Sequence, residues 1–451
     1  MKTLADRKIL VAVTCALAFA ALAAGNANAA QVKLDAAMAN PTLLADQKQT
    51  TFLKVGLTGF AWMEDRQRPP VNVAIVIDKS GSMAGEKIAK AKEAAIMAVD
   101  RLSGKDIVAV VAYDHNVTVL VPATKVADKD AIKAGISRLS AGGNTALFAG
   151  VGKGAAEVRK FLEKDLVSRV ILISDGLANV GPSSPDQLGE LGASLIKEGI
   201  SVTTVGLGLD YNEDLMTRLA QKSDGNHYFA RTATDLAQIF KTELGDVLSV
   251  CAQEVTITIR CADGIRPVRV LGREADITGQ NVTAVLNQLY SEQEKFVLLE
   301  VEVPATAEDE GRKVASVSVS YANMATKTSE TLTSTVDARF TKSQELVEKK
   351  TNKDVMVDAV ELIAVETNKR ALELRDAGKV DEARAALLKN AEYLEENADR
   401  YGSTKLEIYG TINVRDASNL DPDKWNATRK GMRAQQSQRD MQQSSKSHIQ
   451  R

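Results

Sequence analysis

Between residues 71 and 248, short apolar runs alternate with segments of helical periodicity. Runs such as VAIVI (Val73–Ile77) and VILIS (Val170–Ser174) show no polar alternation. Strands of that composition are typically buried on both faces of a sheet. Because these runs alternate with helical segments, the pattern predicts an α/β domain over residues 70–249, with a parallel sheet covered by helices on both faces.

A second pattern flanks this region on both sides. Residues 251–340 contain short apolar and β-branched runs separated by Gly, Pro, Asp and Asn, which is typical of an antiparallel β-sandwich. Residues 31–66 show the same pattern but are too few to build a core alone. We therefore predict one β-sandwich formed by residues 31–66 and 251–340, with the α/β domain inserted between its two parts.

The C-terminal region becomes helical. Residues 352–402 show helical periodicity interrupted at Gly378, which predicts a helical hairpin. Part of it resembles one tetratricopeptide unit, but about three units are needed for a stable array, so we expect the hairpin to pack on the rest of the protein. Residues 429–451 are rich in Gln and Ser and hold six Lys or Arg against one Asp, which predicts a disordered, polar, basic tail.

The first 29 residues have the features of a secretory signal peptide. Basic residues precede an apolar run, Ile9–Ala24, and Ala27-Asn28-Ala29 offers a cleavage site with small residues. An uncleaved anchor helix is the alternative. The mature chain has no run of about 20 apolar residues that would span a membrane. We therefore expect an exported protein of a Gram-negative-type envelope, either periplasmic or secreted.

Two cysteines remain in the mature chain, Cys251 and Cys261. Export favours a disulfide between them. If both lie on one strand, however, ten residues would hold them roughly 33 Å apart, which is beyond the reach of a disulfide. A bond would therefore require a turn near Ala252, and the sequence leaves both states open.

Charge and motifs argue against several classes of function. The formal net charge of −2 over 451 residues gives no field that would favour nucleic acid. The three histidines form no HExxH motif, and no phosphate-binding loop or dinucleotide fingerprint occurs. We expect His115 to lie in a loop and His227 to serve in packing. The chain is therefore predicted not to be an enzyme; a metal-dependent hydrolase is a minor alternative that would need a general base or a second metal.

Oxygen-bearing side chains follow several strands of the predicted α/β domain. Asp78, Ser80 and Ser82 come directly after one strand, Asp175 follows another, and Thr145 precedes a helix. Ligands of open parallel sheets bind at the carboxyl ends of strands, so we expect these five side chains to converge. Carboxylate and hydroxyl oxygens favour Mg²⁺, with Mn²⁺ or Ca²⁺ as alternatives, and a small site completed by water favours Mg²⁺.

The three segments DKSGSM, GGNTAL and ISDGLAN resemble the metal-ion-dependent adhesion site of von Willebrand factor type A domains. The resemblance covers Pro70 to about Ser249 and implies a Rossmann-like parallel sheet. Lys79 stands at a variable position of the motif and is expected to point away from the cation. The arrangement of domains is similar to that of inter-alpha-trypsin inhibitor heavy chains and of bacterial proteins labelled as chloride channels. The metal ligands implied by the resemblance are Asp78, Ser80, Ser82, Thr145 and Asp175.

The resemblance also implies a protein-binding function. In the family, an Asp or Glu of a partner protein completes the coordination of the metal, so we expect a Mg²⁺-bridged contact with a partner. The alternative is a structural or assembly role in an envelope complex, with the metal site only regulating it. Substitution of Asp78 by Ala would abolish partner capture in the first case and leave the mass of the complex unchanged in the second.

Overall fold

The computed structural model describes residues 30–62 and 68–444. The predicted signal peptide therefore lies outside the described residues, as do residues 63–67 and 445–451. The described residues form sixteen strands: β1 (Lys33–Met38), β2 (Thr42–Leu44), β3 (Gln49–Thr58), β4 (Val71–Asp78), β5 (Ile107–Tyr113), β6 (Val117–Lys125), β7 (Val167–Ser174), β8 (Ile200–Leu207), β9 (His227–Ala230), β10 (Val250–Cys261), β11 (Arg266–Leu271), β12 (Asp276–Thr278), β13 (Asn281–Tyr290), β14 (Glu294–Val303), β15 (Gly311–Asn323) and β16 (Thr328–Thr341).

The same described residues form eleven α-helices: α1 (Glu86–Arg101), α2 (Lys129–Ser137), α3 (Leu147–Arg159), α4 (Pro185–Ile196), α5 (Glu213–Lys222), α6 (Asp235–Leu248), α7 (Gln344–Lys350), α8 (Lys353–Asp376), α9 (Val380–Tyr401), α10 (Thr404–Ala417) and α11 (Pro422–Asp440). A 3₁₀ turn, Gly81–Met83, lies between β4 and α1.

The α/β domain is built on a six-stranded sheet in the order β6-β5-β4-β7-β8-β9. Five strands run parallel, and the edge strand β6 pairs antiparallel with β5. Every residue of β4, β5, β7 and β8 is buried, because helices cover both faces of the sheet. The predicted fold class is confirmed, with the refinement that the sheet is mixed.

The order of the strands reverses at the centre of this sheet. The chain runs outward from β4 to β5 and β6, then returns to the other side of β4 and runs outward again through β7, β8 and β9. Such a reversal leaves a crevice at the carboxyl ends of the two central strands, β4 and β7. Asp78 ends β4, and Asp175 follows the last residue of β7.

Two further sheets form the β-sandwich, in the orders β1-β3-β14-β11 and β12-β13-β10-β15-β16-β2. Strand β3 pairs with β14, and β2 pairs with β16. The strands before the α/β domain thus share both sheets with strands that follow it, as expected for an inserted domain. One apolar core joins the two sheets and includes the buried side chains of Leu53, Ile257 and Val301.

A buried arginine links the α/β domain to the sandwich. Arg169 on β7 is fully buried and donates hydrogen bonds to Glu243 on α6 (2.9 Å) and Thr203 on β8 (2.8 Å). It also donates to the side-chain oxygens of Gln288 (2.5 Å) and Tyr290 (2.8 Å), both on sandwich strand β13. A single guanidinium therefore holds three elements of one domain and one strand of the other.

The C-terminal helices extend beyond the predicted hairpin. Helices α8 and α9 form the hairpin, and α10 and α11 add two more helices to it. Helix α8 covers the four-stranded sheet through a core that includes Val355, Leu362 and Leu298. The hairpin thus packs on the sandwich.

The prediction of a disordered tail from residue 429 is wrong for the described residues of that segment. Residues 429–440 complete helix α11. Beyond the helix, the backbone oxygen of Gln442 accepts a hydrogen bond from the amide of Phe296 on β14 (3.1 Å). The segment is therefore attached to both the helical region and the sandwich.

Ion pairs contribute to this order. Arg429 contacts Glu213 and Asp214 on α5 and Asp376 on α8. One guanidinium on α11 thus joins three carboxylates from two other helices. The two partners on α5 lie more than 200 positions earlier in the chain.

Neighbouring cations strengthen the same attachment. Lys430 is buried, and its ammonium lies 2.7 Å from a carboxylate oxygen of Glu213 and 3.0 Å from the backbone oxygen of Tyr211. Arg433 lies 2.7 Å from Asp214. Three of the basic side chains on which the prediction of disorder rested are therefore paired with acidic residues of α5.

The two cysteines of the described residues are both free and buried, and both lie on the continuous strand β10. The turn that a disulfide would need does not form, because β10 pairs with β13 and β15 along most of its length. Burial raises the pKa of the Cys251 thiol to about 12 and that of Cys261 to about 11. Both thiols therefore stay protonated and unreactive near neutral pH.

Replacement of Arg169 by Met should destabilise the protein by about 3–5 kcal/mol, because it leaves the carboxylate of Glu243 buried without its cation. Urea unfolding followed by circular dichroism would measure the change. Arg218→Met is the matched control, since Arg218 is 37% exposed and its contact with Glu274 is 3.4 Å long; we expect a change below about 1 kcal/mol there. Equal effects of the two substitutions would contradict the structural role of Arg169.

Iodoacetamide at mildly alkaline pH should modify neither Cys251 nor Cys261 in the native protein, because burial keeps both thiols protonated and out of contact with the reagent. Both should react once the protein is unfolded without a reducing agent. Mass spectrometry of the peptides would measure the modification. If neither cysteine reacted in denaturant and both reacted after a reducing agent was added, a disulfide would be indicated instead.

Candidate metal centre

The loop after β4 is fixed by its backbone to the neighbouring loops. The Lys79 amide donates to the Tyr113 carbonyl oxygen (2.8 Å) at the end of β5. The Gly81 amide donates to the Gly143 oxygen (3.0 Å), and the Gly142 amide donates to the Lys79 oxygen (2.6 Å). These bonds join the first and second predicted motifs, so the loop carrying the two serines and the loop leading to the threonine are held side by side.

Asp78 accepts hydrogen bonds on both of its carboxylate oxygens. Its side chain is buried, and Oδ1 accepts a hydrogen bond from the Ser80 amide (2.8 Å). Oδ2 accepts bonds from the Ser174 hydroxyl (2.7 Å) and, at 3.4 Å, from the Tyr113 hydroxyl. Burial raises the pKa of Asp78 and the negative charge of Asp175 adds to the increase, while the bond from Ser174 opposes it.

Three hydroxyl groups converge beside Gly176, the residue after Asp175. A methyl group placed on Gly176 would lie 3.0 Å from Thr145 Oγ1, 3.4 Å from Ser82 Oγ and 3.7 Å from Ser80 Oγ. The two serine oxygens are 3.1 Å apart. Only a residue without a side chain leaves this space free, so Gly176 keeps the three oxygens open to a common point.

Thr145 is held in place by the loop that follows β7. Its amide donates to Asn179 Oδ1 (2.9 Å), and the Asn179 amide donates back to the Thr145 carbonyl oxygen (3.1 Å). This reciprocal pair ties the second motif to the third, ISDGLAN. Hydrogen bonds between loops therefore connect all three predicted motifs.

Asp175 joins the hydroxyl groups to a cationic side chain. Its Oδ1 accepts a hydrogen bond from Ser82 Oγ (2.7 Å), and its Oδ2 lies 2.5 Å from Lys87 Nζ. Asp175 is fully buried, whereas Ser82 is exposed. The group of side chains consequently runs from the buried Asp78 to the surface at Ser82.

Lys79 contacts Asp114 instead of the two aspartates of this group. His115 lies in the turn after β5 with an exposed side chain. His227 is buried and bonded to Thr204 (2.8 Å), and burial lowers its pKa to about 3, as suits a neutral packing residue. The structure brings together all five side chains that the sequence singles out: Asp78, Ser80, Ser82, Thr145 and Asp175.

Sequence reasoning missed four residues that complete the arrangement: Ser174, Tyr113, Lys87 and Asn179. Ser174 and Tyr113 are the last residues of β7 and β5, and the strand-end argument applies to them as much as to Asp78. Lys87 lies in the first turn of α1, where no motif marked it. Asn179 lies inside the quoted segment ISDGLAN, but its bond to Thr145 depends on tertiary structure.

The donor set fits a hard divalent cation. It consists of two carboxylates and three hydroxyls, all oxygen donors of the kind that Mg²⁺ and related ions prefer. Among the described residues, no group of three or more His, Cys, Asp or Glu could hold a metal ion. A cation at this edge of the sheet would therefore depend on Ser80, Ser82 and Thr145 as well as on the two aspartates.

Fold and site together define an α/β domain with a cluster of oxygen-bearing side chains at the ends of its central strands. Residues 72–242 match the family model of the von Willebrand factor type A domain. The chain therefore contains a domain of this family, and the predicted domain is confirmed.

Solved structures show that the similarity of fold extends beyond this domain. A von Willebrand factor type A protein from Catenulispora acidiphila matches with a TM-score of 0.72 at 18% identity, over 93% of this chain and 99% of that one. The ArnB paralog VWA2 from Sulfolobus acidocaldarius matches with a TM-score of 0.63 at 16% identity, over 92% of this chain and 100% of that one. At these identities the similarity concerns the fold alone.

Curated relatives match over part of their length. An uncharacterized protein of Synechocystis is 29% identical over 257 residues, covering 55% of this chain and 60% of that protein. Escherichia coli YfbK, also uncharacterized, is 28% identical over 47% of this chain and 37% of that protein. An inter-alpha-trypsin inhibitor heavy chain from Mus musculus is 33% identical over 35% of this chain and 17% of that protein. The chain thus spans less than two thirds of each.

Within residues 30–62 and 68–444, no helix combines the length and the apolar character needed to cross a membrane.

Replacement of Asp78 by Asn should raise the thermal unfolding midpoint of the protein in EDTA at neutral pH. The folded state raises the pKa of Asp78, so ionisation of this carboxyl opposes folding at neutral pH; the penalty disappears as the pH falls through the folded-state pKa. The gain should therefore shrink on acidification. Calorimetry over a series of pH values from neutral to mildly acidic would measure it.

Asp165→Asn is the control for this prediction, because Asp165 is 49% exposed and precedes β7 at the end away from the site. It should leave the midpoint nearly unchanged. A midpoint lowered by Asp78→Asn at neutral pH in EDTA would show that the charge of Asp78 is already compensated in the folded protein.

Proposed function

We propose that the chain binds another protein through a divalent cation, with Mg²⁺ as the main candidate, held at the carboxyl edge of the α/β sheet. The observation that carries the proposal is the convergence of three hydroxyl groups on one point beside Gly176, next to two buried carboxylates. When bound, the ion would supply a positive centre that attracts a carboxylate from outside. The residues that would hold it are Asp78, Ser80, Ser82, Thr145 and Asp175.

The surface around the site supports a protein as the partner. Ser82 is exposed, and Leu177, which directly follows Gly176, is 59% exposed. An apolar side chain at the mouth of a charged site suits contact with a protein surface, where apolar and charged groups meet in one interface. We propose an Asp or Glu of that partner as the group that reaches the ion.

We propose binding rather than catalysis, because the side chains next to the two carboxylates are used to orient them. Ser174 and Ser82 each donate a hydrogen bond to an aspartate. Burial raises the pKa of Tyr113 far above its ordinary value, and the charge of Asp78 raises it further, so Tyr113 stays protonated and cannot act as a base near neutral pH.

The cellular location that we propose is the periplasm or the exterior, on the basis of the first 29 residues of the sequence. Fractionation of cells that express the full chain, followed by N-terminal sequencing, would test it. A cytosolic protein that keeps its first residue would overturn this part of the proposal.

Millimolar Mg²⁺ should raise the thermal unfolding midpoint of the wild-type protein, because a ligand that binds only the folded state stabilises it by about 2.7 kcal/mol at 100 times its dissociation constant. Asp175→Ala should remove this effect. In affinity capture from envelope extracts, the same variant and EDTA should each release the partner that the wild-type protein retains in Mg²⁺.

The control for both measurements is Asp165→Ala, which removes an exposed carboxylate far from the site and should behave like the wild type. Capture of the same proteins in EDTA as in Mg²⁺, with no stabilisation by Mg²⁺, would refute the proposal. Stabilisation by Mg²⁺ together with metal-independent capture would favour the assembly role instead.

A further inference from the structure

Within the part of the chain that the structure describes, Lys87 is the one cationic side chain that pairs with an aspartate of the site, and that aspartate is Asp175. Its ammonium lies 2.5 Å from Asp175 Oδ2, and the side chain is 29% exposed while Asp175 is fully buried. Lys87 stands in the first turn of α1, where a positive charge is unfavourable to the helix dipole. The stability of α1 therefore does not explain why a lysine stands at this position, whereas the ion pair with Asp175 does.

The Lys87 side chain also approaches the loop after β8. A methyl group placed on Gly208 would lie 3.6 Å from Lys87 Nζ. This loop is fixed in turn, because the Gly208 amide donates to the Ala230 oxygen (2.9 Å) and Asn426 on α11 donates to the Leu209 oxygen (3.0 Å). Lys87 is thus confined between Asp175 and a firmly held loop.

The charges at the site can be counted. Asp78 and Asp175 supply two negative charges, and Lys87 cancels one of them. Lys79 and Asp114 contact each other and cancel. The empty site therefore has a net charge of about −1. Once a divalent cation binds, the net charge becomes about +1. One carboxylate from outside restores neutrality.

We propose that Lys87 makes binding of the divalent cation depend on a carboxylate of the partner protein. Without the lysine, the two aspartates alone would balance the ion. With it, the metal-loaded site keeps a positive charge in a largely buried setting, where charge interactions are strong. The ion and the partner's carboxylate consequently stabilise each other, and each binds weakly alone. This inference rests on the proposed function, since it concerns the same metal site.

The test is titration of the full chain with MgCl₂ in a calorimeter, with the wild type and three variants. Lys87→Met should bind Mg²⁺ at least about tenfold more tightly than the wild type, because a repelling charge is removed. Lys87→Arg keeps the charge and should bind like the wild type. Lys90→Met removes a lysine one turn further along α1, which contacts Glu93 instead of the site, and should also match the wild type.

A second titration uses acetate as the external carboxylate. In about 0.1 M sodium acetate, compared with sodium chloride at the same ionic strength, the wild type should bind Mg²⁺ several times more tightly. Lys87→Met should gain less. Thermal unfolding in EDTA would establish that all variants are folded before they are compared.

Two outcomes separate this inference from the proposed function. If the wild type and Lys87→Met bind Mg²⁺ equally, or acetate strengthens both to the same extent, the role of Lys87 is refuted while the metal site stands. If neither binds Mg²⁺ under conditions in which both are folded, the metal site itself is refuted, and the inference falls with it.

Discussion

Two like charges at the end of the central strands are the constraint on which this site depends. Asp78 and Asp175 are both fully buried at the carboxyl ends of neighbouring strands. Carboxylates in such a setting need hydrogen-bond donors or cations. Most of the polar groups around the site serve this one electrostatic requirement: the donors come from Ser80, Ser82 and Ser174, and the cation is Lys87.

The same α/β sheet is anchored to the sandwich by a different charge. Arg169 is buried near the start of β7, while Asp175 directly follows the last residue of that strand. The start of β7 is thus held by a buried hydrogen-bond network that includes Glu243 and strand β13. The other end presents its polar groups toward a surface, with the exposed Ser82 beside Asp175. A single buried strand thus separates the network that holds the domains together from the polar groups near the surface.

Much of the fold and the core of the site could be predicted from sequence, because both depend on local pattern. Apolar runs without alternation mark strands buried on two faces, and the carboxyl ends of parallel strands meet at one edge. Lys87 could not be found that way, because it lies in the first turn of a helix and not at the end of a strand. The composition of residues 429–444 led to a wrong prediction of disorder, because the acidic partners of Arg429 and Lys430 lie on helices distant in sequence. Nothing in the local sequence records such pairs.

The pairing of the sandwich has a consequence for the order in which the protein can assemble. Strand β3 is completed by β14, more than 200 residues later, and Gln443 then pairs with Lys295 on β14. The α/β domain has all of its strands within one continuous segment of the chain. Its sheet can therefore form before the strands that follow it, β10 to β16, have joined the sandwich. The inserted domain can thus complete its sheet from one continuous segment, whereas the surrounding sandwich needs segments from both sides of that domain.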